Sequence, residues 1–167
     1  VVRSIVTKNT KDKPRSFFDN LDKWAKTEGA SGMAYFTFEK DKNLTAKGPV
    51  GKFFSSEALR EIMEITGAQI GDSIFFSCDK ETNVLQLMSL ARDKIAEELN
   101  LIDPNTFAFC WIVDYPMYEI DKISGKIKFS HNPFSMPQGE EKEIDFENPL
   151  NIKAYQYDIV CNGIEPV

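Results

Sequence analysis

The stretch MAYFTFEK at residues 33–40 decides the fold of the first part of this chain. Ala34, Phe36 and Phe38 alternate in it with a tyrosine and a threonine, which is the two-residue period of a β-strand. Aromatic side chains are also enriched in strands. The stretch therefore predicts a strand, and the segments around it are interpreted from there.

Helical and strand patterns lie on either side of this stretch. Helices are predicted near 16–28, 55–67 and 80–100, and strands over 1–7 and 72–79. An S-x-x-D cap made by Ser16 and Asp19 starts the first helix, and Gly67 ends the second. Mixed elements without a regular βαβ repetition favour a two-layer α+β module that ends near Pro104. No catalytic set is evident in residues 1–103.

The pattern changes at FAFCWIV, residues 107–113, where every position is apolar. Such a run predicts a strand that is covered on both faces. Asp114 follows it directly and is interpreted as a structural acid. Ser124 and Gly125 predict a hairpin, and a further strand is predicted around 153–165. Three strands without helices cannot close a core, so we expect this part to pack either on the first module or on sequence missing from this chain.

Composition limits the classes of function. The 167 residues are 42% hydrophobic and 28% charged and include 13 phenylalanines, which is typical of a folded domain. No membrane-spanning stretch or secretory signal is evident, so we expect a cytoplasmic protein with no membrane partner. The distant cysteines predict reduced thiols in the core, not disulfides. They are Cys78, Cys110 and Cys161.

The charge balance argues against a large RNA-binding surface. A net charge of −6 does not supply the clustered cations that displace counterions from a nucleic-acid backbone. One short basic stretch contains Lys8, Lys11, Lys13 and Arg15. A solvated loop between a strand and a helix is the favoured interpretation of that stretch.

His131 is the only histidine of the chain. The period of two places it on the same face as Ile127 and Phe129, on the buried side of its strand. Two interpretations stay open from the residues alone. One is a core histidine with a single hydrogen bond, and the other is a ligand-binding imidazole.

Asp158 and Glu165 form a second candidate pair. Asp158 shares a polar face with Gln156 and Asn162, but the seven residues to Glu165 place the second acid on the opposite face of an ideal strand. A bulge at Gly163 is predicted to bring the two carboxylates together. Converging carboxylates bind Mg²⁺ beside nucleotide phosphates, and simple surface charges are the alternative.

Three strings together closely resemble the bacterial-type aspartyl-tRNA synthetase family: FCWIVDYPMYE (109–119), FSHNPFSMP (129–137) and AYQYDIVCNGIE (154–165). Residues 1–103 resemble the GAD domain that this family inserts within its class II catalytic domain. The resemblance implies helices on one face of a small, mainly antiparallel sheet in residues 1–103. It implies part of the class II antiparallel catalytic sheet in residues 104–167.

The same resemblance implies roles for individual residues. In the family's H-x-P-F string the first histidine borders the amino-acid pocket and helps to hold aspartate, a role that falls on His131. Asn132 departs from the histidine often found second. In the Y-D-x-x-x-N-G-x-E string the two acids hold ATP and its magnesium, which assigns these functions to Asp158 and Glu165. No residue is assigned acid–base catalysis.

The activity implied is the two-step charging of tRNA with aspartate through aspartyl-adenylate, by an enzyme that is a homodimer. The family's anticodon-binding barrel, an arginine-bearing ATP motif and a Gly-rich run ending in arginine are not found in this sequence. We therefore expect a fragment that is inactive alone. The alternative is a noncatalytic binding module related to the GAD-containing subunits of tRNA-dependent amidotransferases.

Overall fold

The computed structural model describes residues 1–131 and 133–164, which form two compact units divided between Ile102 and Asp103. The first unit contains β1 (Val2–Thr7), α1 (Arg15–Thr27), β2 (Ala34–Lys40), β3 (Leu44–Lys47), a 3₁₀ helix (Gly51–Phe53), α2 (Ser56–Thr66), β4 (Ser73–Cys78) and α3 (Glu81–Glu98). The second contains β5 (Phe109–Ile112), β6 (Tyr118–Ile120), β7 (Ile127–Phe129), a 3₁₀ helix (Pro149–Asn151) and β8 (Asp158–Cys161).

The first unit is built on a four-stranded antiparallel sheet with the order β1-β4-β2-β3. Phe75 of β4 lies opposite Ile5 of β1 on one side and Tyr35 of β2 on the other. These three side chains therefore point to one face of the sheet, and their even-numbered neighbours point to the other.

Helices cover both of those faces. On one face, α1 and α3 bury Phe18, Leu21, Val84 and Ala91 against Tyr35 and Phe75. On the other, α2 places Leu59 against a cluster that consists chiefly of Phe36, Phe38 and Ile74. Burying one such aromatic side chain contributes about 1.5–3 kcal/mol. The unit therefore has two hydrophobic cores, one on each side of the sheet.

The predicted α+β class with a mainly antiparallel sheet is confirmed. The two-layer arrangement with helices on one face is wrong, because α2 packs on the face opposite to α1 and α3. The reason lies in β2, where Tyr35 and Phe36 point in opposite directions and are both buried. A strand that is apolar on both faces needs cover on both.

Two helix ends illustrate when a capping motif is effective. The Ser16–Asp19 cap is wrong, because α1 already begins at Arg15, after Pro14, with no side-chain cap. Helix α2 begins as its pattern predicts, with the Ser55 hydroxyl accepting the Ala58 amide hydrogen bond at 3.3 Å. It ends at Gly67, whose φ of 67° is the left-handed conformation that glycine adopts readily. Strand β3 was not predicted.

The second unit has two separate two-stranded sheets, β5 with β8 and β6 with β7. The predicted hairpin is confirmed: β6 and β7 are joined by a turn with Gly125 at φ 68°. Asp121 organises this turn by accepting hydrogen bonds from the Ser124 and Ile123 amides. The Ser124 amide and hydroxyl, and then the Ile123 amide, lower the pKa of Asp121 to about 2.

The apolar run of the second unit forms a strand, but it is not covered. Phe109 is 62% exposed and Trp111 61%. Among the described residues after Asp103, only Ile152 and Ala154 are buried hydrophobic side chains. The prediction of cover on both faces is therefore wrong for this chain, because among the described residues β5 pairs only with β8, and the described part of the second unit contains no α-helix.

The cysteines are free thiols, as predicted, but they are not core residues. Cys78 and Cys110 are exposed, and Cys161 is half-buried. Over the part of the chain that the structure describes, no helix combines the length and apolar character needed to traverse a bilayer.

Candidate functional site

Asp158, the first residue of β8, lies opposite Ile112 of β5. Its side chain is half-buried, and its Oδ2 accepts a hydrogen bond from the Tyr115 hydroxyl at 2.5 Å. Among the described residues no hydrogen bond is made to Oδ1. Within the described part of the chain, one carboxylate oxygen is thus held by Tyr115 and the other accepts no hydrogen bond.

His131 follows β7 and contacts the same tyrosine. The imidazole packs edge-on against the Tyr115 ring, with ring centroids 4.6 Å apart and an interplanar angle of 73°. His131 is exposed, so its prediction as a residue on a buried face is wrong. Phe129, on the same strand, is also 39% exposed, because β6 and β7 form a sheet without cover among the described residues.

Tyr115 therefore brings together the two candidate residues that the structure describes. The backbone holds it in place, since the Tyr115 carbonyl accepts a hydrogen bond from the Ala154 amide at 2.8 Å. Sequence reasoning assigned no role to Tyr115. The signal was the D-Y-P string directly after an apolar strand, which places an aromatic hydroxyl where the chain turns away from its sheet.

Asp114 is the structural acid that the sequence predicts. It adopts a left-handed conformation with φ 62°. Its carboxylate accepts hydrogen bonds from Gln138 Nε2 and Lys153 Nζ, both at 3.1 Å. Gln138 and then Lys153 lower the pKa of Asp114. These contacts tie three separate loops together beside Tyr115.

An open groove of about 530 Å³ runs past Asp158. Its other lining residues include Gln156, whose Oε1 accepts a hydrogen bond from the Ser135 hydroxyl at 3.3 Å. Asn162, predicted on the same polar face, instead bonds to the backbone of residues 106 and 108. Tyr157 is 66% exposed, and its ring meets that of Trp111 edge-on with centroids 5.6 Å apart.

The segment after Cys161 turns back on itself. Asn162 and Gly163 have φ values of 50° and 82°, and Cys161 and Ile164 exchange backbone hydrogen bonds at 2.8 and 2.9 Å. This is a tight two-residue turn and not the predicted bulge within a continuing strand. The Asn-Gly dipeptide is a known signal for such a turn, and its meaning was missed.

The predicted magnesium pair is only half described, because Glu165 lies outside the described residues, as does Asn132. Within 1–131 and 133–164 no group of three acidic, histidine or cysteine side chains is arranged to hold a metal ion. Asp158 fits the requirement for one carboxylate ligand, because Mg²⁺ takes one or two carboxylates and completes its shell with phosphates and water. The shared metal site stays a prediction.

Comparisons with known proteins agree with the resemblance seen in the sequence. The family model described as GAD domain matches residues 1–88. The aspartate–tRNA(Asp/Asn) ligase of Pelagibacter ubique (strain HTCC1062) is 75% identical over 164 residues, which cover 98% of this chain and 28% of that protein.

Two further relatives carry the same description. The Ehrlichia chaffeensis (strain ATCC CRL-10679 / Arkansas) protein is 51% identical over 165 residues, 99% of this chain and 28% of the relative. The Gluconobacter oxydans (strain 621H) protein is 46% identical over 164 residues, 98% of this chain and 27% of the relative. The chain thus spans little more than a quarter of these relatives.

Proposed function

The chain belongs to the GAD domain family, and from this premise we propose that it is a segment of an aspartate–tRNA ligase. Residues 1–103 are the GAD insertion domain, and residues 104–167 are part of the class II catalytic domain. The whole enzyme activates aspartate with ATP to aspartyl-adenylate and then transfers it to the 3′ end of tRNA. Following the names of its relatives, the enzyme serves both the aspartate and asparagine tRNAs.

One observation carries the site assignment. His131 and Asp158 come from separate strings of the sequence, and both side chains contact Tyr115. A noncatalytic GAD module has no use for this arrangement. The matches to ligases also continue past residue 88 to nearly the whole chain, which favours the ligase over the amidotransferase-related alternative.

The residues act by positioning their ligands. His131 donates an imidazole hydrogen bond to the substrate aspartate. Tyr115 holds Oδ2 of Asp158. Asp158, together with Glu165, would hold ATP and its magnesium. Mg²⁺ supplies neutralisation of phosphate charge when it is bound. Binding both substrates in fixed geometry lowers the barrier without protein acid–base chemistry, and no catalytic acid or base is assigned.

The remaining properties follow from the ligase assignment. The partners of the whole enzyme are tRNA, aspartate and a second copy of itself, and its location is the cytoplasm. The 167-residue chain alone is inactive, because the anticodon-binding barrel and the arginines that counter phosphate charge belong to other parts of the enzyme. Aspartate-dependent ATP–pyrophosphate exchange by this chain alone would contradict that statement.

The site is tested by isothermal titration of the full-length ligase with an aspartyl-adenylate analogue and with Mg-ATP. The His131→Ala variant is expected to weaken analogue binding roughly tenfold or more, the effect of losing a hydrogen bond to a charged group. The Asp158→Asn variant is expected to weaken Mg-ATP binding similarly and to raise the magnesium concentration required.

Two further variants make the comparison sharper. Tyr115→Phe keeps the ring beside His131 but removes the hydroxyl that holds Asp158. It is therefore expected to weaken the binding of Mg-ATP more than the binding of the aspartyl-adenylate analogue. Glu119→Gln removes one exposed carboxylate of the same unit and serves as the control, with unchanged affinities. Equal affinities in the parent, His131→Ala and Asp158→Asn proteins would refute the site.

A further inference from the structure

A basic cleft lies in the first unit. It has a volume of about 460 Å³, and its cationic lining residues are Lys11, Lys13, Arg15 and Lys47. The loop between β1 and α1 supplies the first two, the first residue of α1 the third, and the last residue of β3 the fourth. No acidic side chain of the described residues lines the cleft, although the chain carries a net charge of −6.

Tyr35 lies in this cleft and carries an unused hydrogen-bonding group. Its side chain is packed against Phe18, with centroids 4.4 Å apart, and the residue is only 8% exposed. No hydrogen bond is made to its hydroxyl by the described residues. Every fully inaccessible side-chain oxygen and nitrogen of the described residues has a partner, so the Tyr35 hydroxyl keeps some access to solvent. The residue lines the cleft.

The hydroxyl stays a hydrogen-bond donor at neutral pH. Burial and then the nearby Asp19 raise the pKa of Tyr35, and Arg15 opposes them only in part. The residue is more than nine-tenths buried, and its hydroxyl has no acceptor among the described residues, so it is free to donate to water or to a ligand in the cleft.

The cations around it are only partly neutralised. Arg15 lies 3.3 Å from Asp19 and Lys47 lies 3.9 Å from Glu39, and both pairs are at the solvent-exposed rim. Lys11 has no ion pair among the described residues, and the Lys13 ammonium lies 5.9 Å from the centre of the Phe17 ring. The cleft therefore keeps a positive potential. The cationic residues that produce it come from two segments that are far apart in the sequence.

We propose that this basic cleft binds a phosphate group, with the Tyr35 hydroxyl donating to one phosphate oxygen and Lys11, Lys13 and Lys47 balancing the charge. Phosphate combines several acceptor oxygens with negative charge, which matches one buried donor surrounded by ammonium groups. The source is either the phosphodiester backbone of tRNA or a free phosphate compound. Only the tRNA source rests on the proposed function.

The test uses the 167-residue chain in two titrations, one with inorganic phosphate and one with an aspartate tRNA transcript. The Tyr35→Phe variant keeps the packed ring and loses one oxygen, and it is expected to bind roughly tenfold more weakly with an unchanged melting temperature. The Lys11→Gln/Lys47→Gln variant is expected to lower the slope of log affinity against log salt for tRNA by about one to two.

A charge-matched control separates the cleft from general electrostatics. Lys122→Gln/Lys142→Gln removes two exposed lysines of the second unit and is expected to retain both affinities. Binding of phosphate alone assigns the cleft to a free phosphate compound, and variant-sensitive binding of tRNA assigns it to RNA. Absence of binding by both probes, or equal affinities of Tyr35→Phe and the parent chain, would overturn the proposal. These two outcomes would overturn the cleft proposal without affecting the proposed binding of adenylate by the full-length ligase.

Discussion

Similar apolar sequences are buried in the first unit and exposed in the second. In the first unit, Phe36, Phe38 and Phe75 are at most 1% exposed, whereas in the second Phe109 and Trp111 are more than 60% exposed. Both sets lie on strands. The comparison teaches that an apolar run predicts a strand, but that its burial depends on which elements cover it.

The cover explains the difference. Three helices pack on a four-stranded sheet in the first unit, while the second unit has two sheets of two strands each. An isolated two-stranded sheet is marginally stable in water, and additional strands or a helix are needed for independent stability. Under the proposed function, the remainder of the catalytic domain supplies this cover in the whole enzyme.

The largest expected difference between the units is in hydrogen exchange. Amides of β1, β2 and β4 are expected to exchange at least about a thousandfold more slowly than those of β5 and β8, because core strands open only with global unfolding. Exchange of the 167-residue chain followed by mass spectrometry measures this ratio. Equal protection of both sets would show that the second unit is stable by itself.

Removing a large side chain from each unit sharpens the same comparison. Phe75→Ala is expected to lower the free energy of unfolding by about 3–5 kcal/mol, because it leaves a cavity between β4, α1 and α3. Trp111→Ala, on an exposed strand, is expected to change it by less than about 1 kcal/mol. Urea unfolding of both variants tests this, and similar losses would contradict the assignment of the core to the first unit.

Asp72 provides a test of the polar contacts in the first unit. The residue is 1% exposed, and its carboxylate accepts hydrogen bonds from the Asn9 and Gln69 amides and from Lys8. Burial raises the pKa of Asp72, but these hydrogen bonds outweigh it and lower the pKa overall. Asp72→Asn is expected to lower the free energy of unfolding by about 2–3 kcal/mol at pH 7.

The sign of the pH dependence follows from the lowered pKa. The contribution of Asp72 is complete above its unfolded pKa of about 3.9 and is lost as the pH falls through the lower folded pKa. The parent and Asp72→Asn curves should therefore converge below about pH 4. Asp114→Asn, at an exposed acid of the second unit, is the control and should show a smaller loss. A constant gap at all pH values would contradict this explanation.

The smallest expected effect on stability comes from helix capping. It applies only to the first unit, because the described part of the second unit contains no α-helix. Ser55→Ala is expected to cost about 1 kcal/mol, because its hydroxyl caps α2. Ser16→Ala, one residue inside α1, is expected to cost less than about 0.5 kcal/mol. Thermal unfolding compares the two, and a larger loss at Ser16 would restore the S-x-x-D interpretation.

The elements predicted from the sequence were those with a strong local pattern. The three helices, the strands around residues 2–7, 34–40 and 73–78, and the hairpin at Gly125 all correspond to elements of the structure. Strand β3 has only four residues and little pattern to detect. The predicted cap residue Ser16 lies inside α1, because the extended residue that precedes this helix is Pro14.

The candidate site was predictable only as separate residues. His131 and Asp158 each lie in a distinctive string, yet Tyr115, which contacts both, comes from a third string and is 43 residues from Asp158. Its position depends on backbone hydrogen bonds from the 113–117 segment to residues 152 and 154. Such contacts between distant segments leave no periodic trace in the sequence.

The amino-acid sequence by itself determined the helices, most strands and the hairpin at Gly125, because periodicity and turn residues act over a few neighbouring positions. Its distinctive strings carried the resemblance to the family. Only the tertiary structure decided that α2 covers the second face of the sheet, that the apolar strand β5 lies open, and that Tyr35 and four cations line one cleft. Those features depend on burial and proximity, which arise when residues far apart in the chain pack together.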